Sequence, residues 1–95
     1  MNSRIEEALG ILQEECAEVI VEISKIRRFG LTTVHYKTNL GHREMLVQEL
    51  GDVLALVDIL LEENVVEQVE LLNAKVKKQD KLKKFSNLYY ETQSK

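Results

Sequence analysis

The chain has 95 residues, which suits one domain because a single hydrophobic core usually organises about 100 to 200 residues. Hydrophobic residues make up 44% and charged residues 31% of the sequence, so it carries enough apolar side chains to fold and does not resemble a disordered chain. The 13 basic and 16 acidic side chains give a net charge of −3, which argues against a dedicated nucleic-acid-binding protein, and a lone cysteine cannot form an internal disulfide.

The first predicted helix begins near Ser3 and ends at Phe29. Ser3 and Glu6 have the spacing of a capping box, in which the two side chains satisfy backbone N–H groups of the first turn. Gly30 suits the left-handed position that follows a helix. The pattern therefore predicts one long amphipathic helix with Cys16 as a small core residue. Its apolar seam consists of Ile5, Leu9, Leu12, Cys16, Val19, Ile23 and Ile26.

Two further helices are predicted after a turn-rich loop. Asn64 and Glu67 repeat the capping-box spacing and begin the third helix, which runs to Phe85. We expect residues 86–95 to form a frayed C-terminal tail, so that the domain spans residues 1–85. The second helix has the apolar pattern Leu46, Leu50, Val53, Val57 and Leu60.

These patterns, with no proline and only five aromatic residues, predict an all-α fold with three main helices per chain. A domain this small buries a limited fraction of its surface, so we predict a helical bundle that is completed by oligomerisation. The N-terminal sequence lacks the apolar segment of a signal peptide, and no uncharged apolar run approaches the ~20 residues of a membrane span. We therefore expect a cytoplasmic protein without a membrane partner.

Carboxylates occupy the ridge beside the apolar seam in both of the first two helices. Acids on an amphipathic helix normally lie on the opposite face, and burying an ionised carboxylate without a partner is costly. Neither ridge contains a lysine or arginine that would compensate the charge. The ridge of helix one consists of Ala8, Ile11, Glu15, Glu18 and Glu22, and that of helix two consists of Met45, Glu49, Asp52, Leu56 and Ile59.

A divalent cation is the predicted compensator of these charges. Residues i and i+3 project from one face of a helix, so Glu15 with Glu18 and Glu49 with Asp52 would bring four carboxylates to one point between two packed helices. Ligation by oxygen alone suits Mg²⁺ or Mn²⁺, whereas di-iron sites in helical bundles use Glu-x-x-His, and neither histidine follows a glutamate by three residues. The alternative is that each pair is solvated surface, as a single Glu-x-x-Glu usually is.

The two acidic segments are QEECAEV at residues 13–19 and QELGDVL at residues 48–54. With these E-E-x-x-E and E-x-x-D motifs the sequence resembles the all-α nucleoside triphosphate pyrophosphohydrolases, the MazG-like superfamily, over most of residues 5–85. It is similar in particular to small stand-alone MazG-like proteins of bacteriophages. The resemblance implies a helical, Mg²⁺-dependent enzyme that is commonly a dimer or tetramer. Its metal ligands and catalytic residues would be Glu15, Glu18, Glu49 and Asp52.

The resemblance also implies residues that bind the substrate. The family often carries N-x-K after the second acidic motif, and Asn73-Ala74-Lys75 matches this pattern, with Lys78 where an arginine is frequent. Thirty residues separate Glu18 from Glu49, which is long for the family. The added length falls in the loop between the first two helices and leaves base and sugar preference open.

The expected function is conversion of a nucleoside triphosphate, (d)NTP, to (d)NMP and pyrophosphate. Glu15 is the expected general base, with Glu18 as an equally plausible ligand, and Mn²⁺ is expected to substitute for Mg²⁺. Control of the deoxynucleotide pool in a bacterium or a phage-infected host fits the phage-like resemblance. The main alternative is a non-catalytic helical interaction module with a solvated acidic face. Nucleic-acid binding through the lysines of the third helix is less favoured because no aromatic residues lie between them.

Overall fold

The computed structural model describes residues 1–34, 37 and 39–89, and this part of the chain contains three α-helices. The all-α prediction with three main helices is confirmed. His35 and the end of the predicted tail, residues 90–95, lie outside the described residues. The helices are α1 (Ser3–Phe29), α2 (His42–Glu62) and α3 (Gln68–Phe85).

The chain divides into two compact units, residues 1–65 with α1 and α2 and residues 66–95 with α3. Within the described ranges, no helix is both long enough and apolar enough to cross a lipid bilayer.

The N-cap of helix α1 lies one residue earlier than the sequence suggested. Asn2, not Ser3, is the N-cap, and its side-chain oxygen accepts a hydrogen bond from the backbone N–H of Ile5 at 2.7 Å. Asparagine and serine are both favourable N-cap residues, so the local sequence alone does not decide which of the two neighbouring residues caps the helix. The predicted end is confirmed, because the helix stops at Phe29 and Gly30 has a φ of 96°.

Helices α1 and α2 form an antiparallel hairpin within the first unit. At one end, Arg4 donates hydrogen bonds to Glu63 at 2.7 Å and to Glu62 at 3.1 Å. At the other end, the ring of Phe29 stacks on that of His42 with centroids 6.0 Å apart. Contacts at both ends therefore fix the register in which the two helices face each other.

The loop between α1 and α2 is closed at its base. The backbone N–H of His42 donates to Thr33 O at 3.0 Å, and that of Arg43 donates to Leu31 O at 3.1 Å. The Thr33 hydroxyl donates in turn to the carbonyl of Phe29, the last residue of α1. The start of the loop is thereby joined both to the end of α1 and to the first turn of α2.

The hairpin covers parts of both the predicted seam and the acidic ridge of α1. Five seam residues are half-buried, whereas the two buried residues of α1, Ala8 and Glu22, belong to the ridge. Among the described residues, Ala8 and Leu60 are the buried apolar side chains, and Glu22 and His42 are the buried polar ones, each less than a tenth exposed. Cys16 is exposed, so its assignment to the core was wrong. The pairing with α2 therefore decides which residues of the seam and of the ridge are covered.

Helix α3 begins three residues later than the sequence suggested. Asn64 lies in the turn before it with a φ of 58°, and Glu67 is the N-cap. Glu67 and Glu70 form the capping box, in which the Glu70 carboxylate accepts a hydrogen bond from the Glu67 N–H at 3.0 Å. The capping-box mechanism was predicted correctly but was placed at the wrong residues.

Candidate active site

Three carboxylates from two helices meet in the middle of the hairpin. Glu15 extends from α1, and Glu49 and Asp52 extend from one face of α2, where their spacing of three residues brings them together. One oxygen atom of each residue lies within 4.8 Å of the others. The structure thus brings together three of the four residues predicted to bind metal. We call these three residues the carboxylate cluster.

The carboxylate cluster is short of positive charge. In the described part of the chain, none of its members forms an ion pair with a lysine or arginine. Glu15 and Glu49 are half-buried, and the Oε2 atom of Glu49 is fully buried without a hydrogen bond from any amide, hydroxyl or basic group of the described residues. A hydrogen bond with Glu49, burial, and the charges of Asp52 and Glu49 raise the pKa of Glu15 to about 7.

This raised pKa predicts how the stability of the metal-free protein depends on pH. The folded state keeps a proton on Glu15 up to about pH 7, whereas a free glutamate carboxyl has a pKa of 4.5. Because the folded state binds more protons in this window, the free energy of unfolding in EDTA should fall as the pH rises from about 4.5 to about 7. Urea unfolding across this range measures the slope.

The matched control for this slope is Glu15→Gln, which removes the titrating group and should make the profile flatter. The pKa of Glu63 is lowered, by hydrogen bonds from Asn2 and from Arg4, so that residue titrates below this window. A wild-type profile as flat as that of the variant would contradict the prediction.

Two other glutamates extend the acidic ridge beyond the cluster. Glu18, the fourth predicted ligand, lies one turn after Glu15, is exposed, and is not among the three residues that converge. Glu22, one turn further, is 3% exposed and accepts a hydrogen bond from Lys25 at 3.4 Å through Oε1. Its Oε2 atom is buried without a donor among the described residues. From the sequence, Glu22 was a member of the ridge without a role; its spacing of seven residues from Glu15, about two helical turns, was the available signal.

The residues predicted to bind the substrate phosphates lie on α3. Asn73, Lys75 and Lys78 are all exposed, and Lys75 and Lys78 are one turn apart on the same face. Their role in binding phosphate stays a prediction.

The donor set of the carboxylate cluster fits a hard divalent cation. All the converging atoms are carboxylate oxygens, which Mg²⁺ and Mn²⁺ prefer to the nitrogen and sulfur donors that softer metals select. A buried carboxylate oxygen without a donor, at Glu49, is the feature that a bound cation would satisfy. The residues present therefore match the chemistry of such an ion.

The sequence matches the model of the MazG nucleotide pyrophosphohydrolase domain over residues 4–84, which includes all three helices except the first and last residues. No curated protein and no solved structure matches the chain significantly.

Proposed function

Because the chain belongs to the MazG nucleotide pyrophosphohydrolase family, we propose that it hydrolyses nucleoside triphosphates to the monophosphate and pyrophosphate at the carboxylate cluster. The observation that carries the proposal is the convergence of Glu15, Glu49 and Asp52 within 4.8 Å. Three mutually repelling acids are unfavourable for the fold alone, and functional sites are where such arrangements concentrate.

Glu15, Glu49 and Asp52 would hold Mg²⁺, for which Mn²⁺ can substitute, and Glu18 would complete the set from the next turn of α1. The ion supplies a positive charge that attracts the triphosphate and lowers the pKa of water. Without it, the acidic ridge repels the polyanionic substrate, since the first 70 residues carry 14 acidic and 6 basic side chains.

The residues of the site have different roles in the proposed reaction. A water oxygen forms a bond to the α-phosphorus while the bond to the bridging oxygen of the β-phosphate breaks, and pyrophosphate leaves. Glu15 is our choice for the general base that accepts the proton from this water, because it is the one member of the carboxylate cluster on α1, opposite Glu49 and Asp52 of α2. Glu49 and Asp52, on the facing helix, would hold the metal ion.

Basic residues would bind the remaining phosphates. Lys25 is a candidate, because the buried Glu22 holds its ammonium group on the ridge of α1 that contains Glu15. Asn73, Lys75 and Lys78 of α3 are the further candidates that the family pattern suggests. Lysine suits this role because its three donors act as a point charge toward phosphate oxygens.

We also propose that the protein is a homodimer or homotetramer. Its support is a row of apolar side chains on α2, spaced three and four residues apart, that the single chain leaves open to water: Val47 is 52%, Leu50 44% and Leu54 64% exposed. Contiguous exposed apolar surface of this kind marks interaction sites. The catalytic domain would comprise residues 1–85, with residues 86–95 as a tail, and sedimentation analysis would give the number of copies.

The proposed role is control of the deoxynucleotide pool in the cytoplasm of a bacterium or of a phage-infected host. Its support is the likeness of the acidic motifs to those of small phage proteins. Nucleoside triphosphates also reside in this compartment, and a single exposed cysteine suits its reducing conditions.

An assay of all canonical NTPs and dNTPs tests the proposed reaction. We expect monophosphate and pyrophosphate in the presence of Mg²⁺ and no product in EDTA, measured by chromatography of the nucleotides. Diphosphate and inorganic phosphate as products would contradict the proposed bond cleavage. If no nucleotide is hydrolysed and Mg²⁺ has no effect on stability, the protein is instead a non-catalytic interaction module with a solvated acidic face.

A further inference from the structure

A cavity of about 240 Å³ lies between α1 and α2, beside the carboxylate cluster. On both helices the cavity and the cluster are one turn apart, because Ile11 precedes Glu15 by four residues and Leu56 follows Asp52 by four. The cavity is lined by Arg4, Glu7, Ala8, Ile11, Leu56 and Ile59. It therefore continues the same groove toward the N-terminus of α1.

The geometry points to this cavity as the subsite for the nucleobase of the substrate. This inference rests on the proposed function and adds the position and the class of base to it. Four of the six lining residues are aliphatic, which suits the faces of a planar ring, and the two charged ones, Arg4 and Glu7, are exposed to solvent and are called the rim. At about 240 Å³ the cavity is smaller than the ~300 Å³ at which pockets begin to enclose a whole drug-sized ligand, so it fits one part of a nucleotide.

The order of groups along α1 agrees with one orientation of the nucleotide. The cavity comes first, the cluster follows, and Lys25 is the first basic residue after Arg4. A nucleotide with its α-phosphate at the cluster would direct its base toward the cavity and its β- and γ-phosphates toward Lys25. The cluster and the cavity are then separated by one helical turn, a rise of about 5.4 Å. This distance is comparable with the span of the pentose that joins the base of a nucleotide to its α-phosphate.

The two charged groups at the rim differ in freedom. Arg4 is held by Glu62 and Glu63, whereas Glu7 is exposed and forms no hydrogen bond or ion pair with the residues that the structure describes. A carboxylate accepts hydrogen bonds and repels carbonyl oxygens. Glu7 therefore favours bases that present N–H groups, above all guanine, whose ring N–H and amino group lie side by side and can both donate to one carboxylate. Thymine and uracil, whose ring N–H lies between two carbonyl groups, are disfavoured.

Filling the cavity tests the subsite. Ala8 is 4% exposed, so Ala8→Leu places extra carbon atoms in the cavity, and Ala17→Leu, at an exposed position of the same helix, is the matched control. We expect Ala8→Leu to weaken binding of α,β-methylene dGTP with Mg²⁺ about 10-fold or more, the scale of losing the contacts of one base, and to leave binding of inorganic tripolyphosphate unchanged. Calorimetry measures both affinities. An equal loss for both ligands, or a changed oligomeric state, would overturn the inference, the latter because a second copy of the chain then covers the cavity.

A surface variant tests the selectivity without risk to the fold. Glu7→Gln should narrow the preference for dGTP over dTTP, measured as the ratio of kcat/KM values, and Glu6→Gln is the matched control because Glu6 does not line the cavity. A wild-type preference for dTTP, or a ratio that Glu7→Gln leaves unchanged, would overturn the role of Glu7. If the wild type hydrolyses nucleotides while Ala8→Leu binds them normally, the subsite is wrong and the proposed function stands. If the wild type hydrolyses none, both fail.

Discussion

The Glu49→Ala variant is expected to hydrolyse nucleotides with a kcat/KM at least about 100-fold lower than that of the wild type. Replacing a residue that only supports a metal ligand costs up to about 100-fold, and a residue that binds the metal directly should cost at least as much. Glu49 contributes the buried oxygen of the carboxylate cluster that receives no hydrogen bond from a donor group of the described residues. Its removal should leave the protein folded, because it also removes the contact that contributes most to the raised pKa of Glu15. The variant should therefore be inactive and, in EDTA near pH 7, at least as stable as the wild type.

The experiment compares kcat/KM and urea unfolding of the wild type, Glu49→Ala and Asp58→Ala. Asp58 is an exposed acid on the same helix that is not part of the cluster, so its replacement controls for the loss of one negative charge. An unfolded Glu49→Ala protein would show that this carboxylate supports the fold. A Glu49→Ala protein with wild-type activity would place the reaction elsewhere in the molecule.

Binding of Mg²⁺ is expected to stabilise the wild-type protein strongly. A ligand that binds only the folded state adds about 2.7 kcal/mol at a free concentration 100 times its Kd. For a domain of this size each 1 kcal/mol raises Tm by roughly 4–8 °C, so an increase of about 10 °C or more should follow near pH 7.5. The physical reason is that the cation replaces repulsion among the three carboxylates by attraction.

Thermal unfolding in MgCl₂ and in NaCl at matched ionic strength separates this effect from general screening of charge. Glu49→Ala should lose most of the Mg²⁺-specific increase, while Asp58→Ala should keep it. Equal melting temperatures for the wild type in the two salts would argue for the interaction module, in which the acids only face solvent or a basic partner.

The sequence was a good guide to the lengths of the helices and an incomplete guide to which residues each helix buries. Gly30 marks the end of α1 because few other residues adopt its backbone conformation, so this boundary is encoded locally. The covered face is not encoded locally. The seam of α1 is apolar throughout, whereas three of the five ridge residues are glutamates, so the seam was the natural choice for the core. Burial of Glu22 and exposure of Cys16 show that contact with α2 moved part of the covered surface from the seam to the ridge.

The site could be predicted to the extent that it depends on helix periodicity. The spacing of Glu49 and Asp52 places both on one face of α2, and the ridge of acids on α1 indicated that α1 supplies the carboxylates opposite them. Which acid of α1 meets them depends on the register of the hairpin. That register is fixed at its ends by Arg4 and by the rings of Phe29 and His42, which are distant in sequence from the motifs. The cavity has the same origin, since no local pattern encodes the space between two helices.

Because of the hydrogen bonds at the base of the loop, the alignment of α1 with α2 does not depend on how many residues the rest of the loop contains. The carbonyl groups of Leu31 and Thr33 accept hydrogen bonds from the first turn of α2, so these bonds position the start of α2 against the end of α1 without the residues that follow Thr33 in the loop. Doubling the length of a flexible loop costs only about 0.6 kcal/mol in closure entropy. The segment after Thr33 is therefore where evolution or an engineer can insert sequence, such as a recognition element or an affinity tag, without moving Glu15 relative to Glu49 and Asp52.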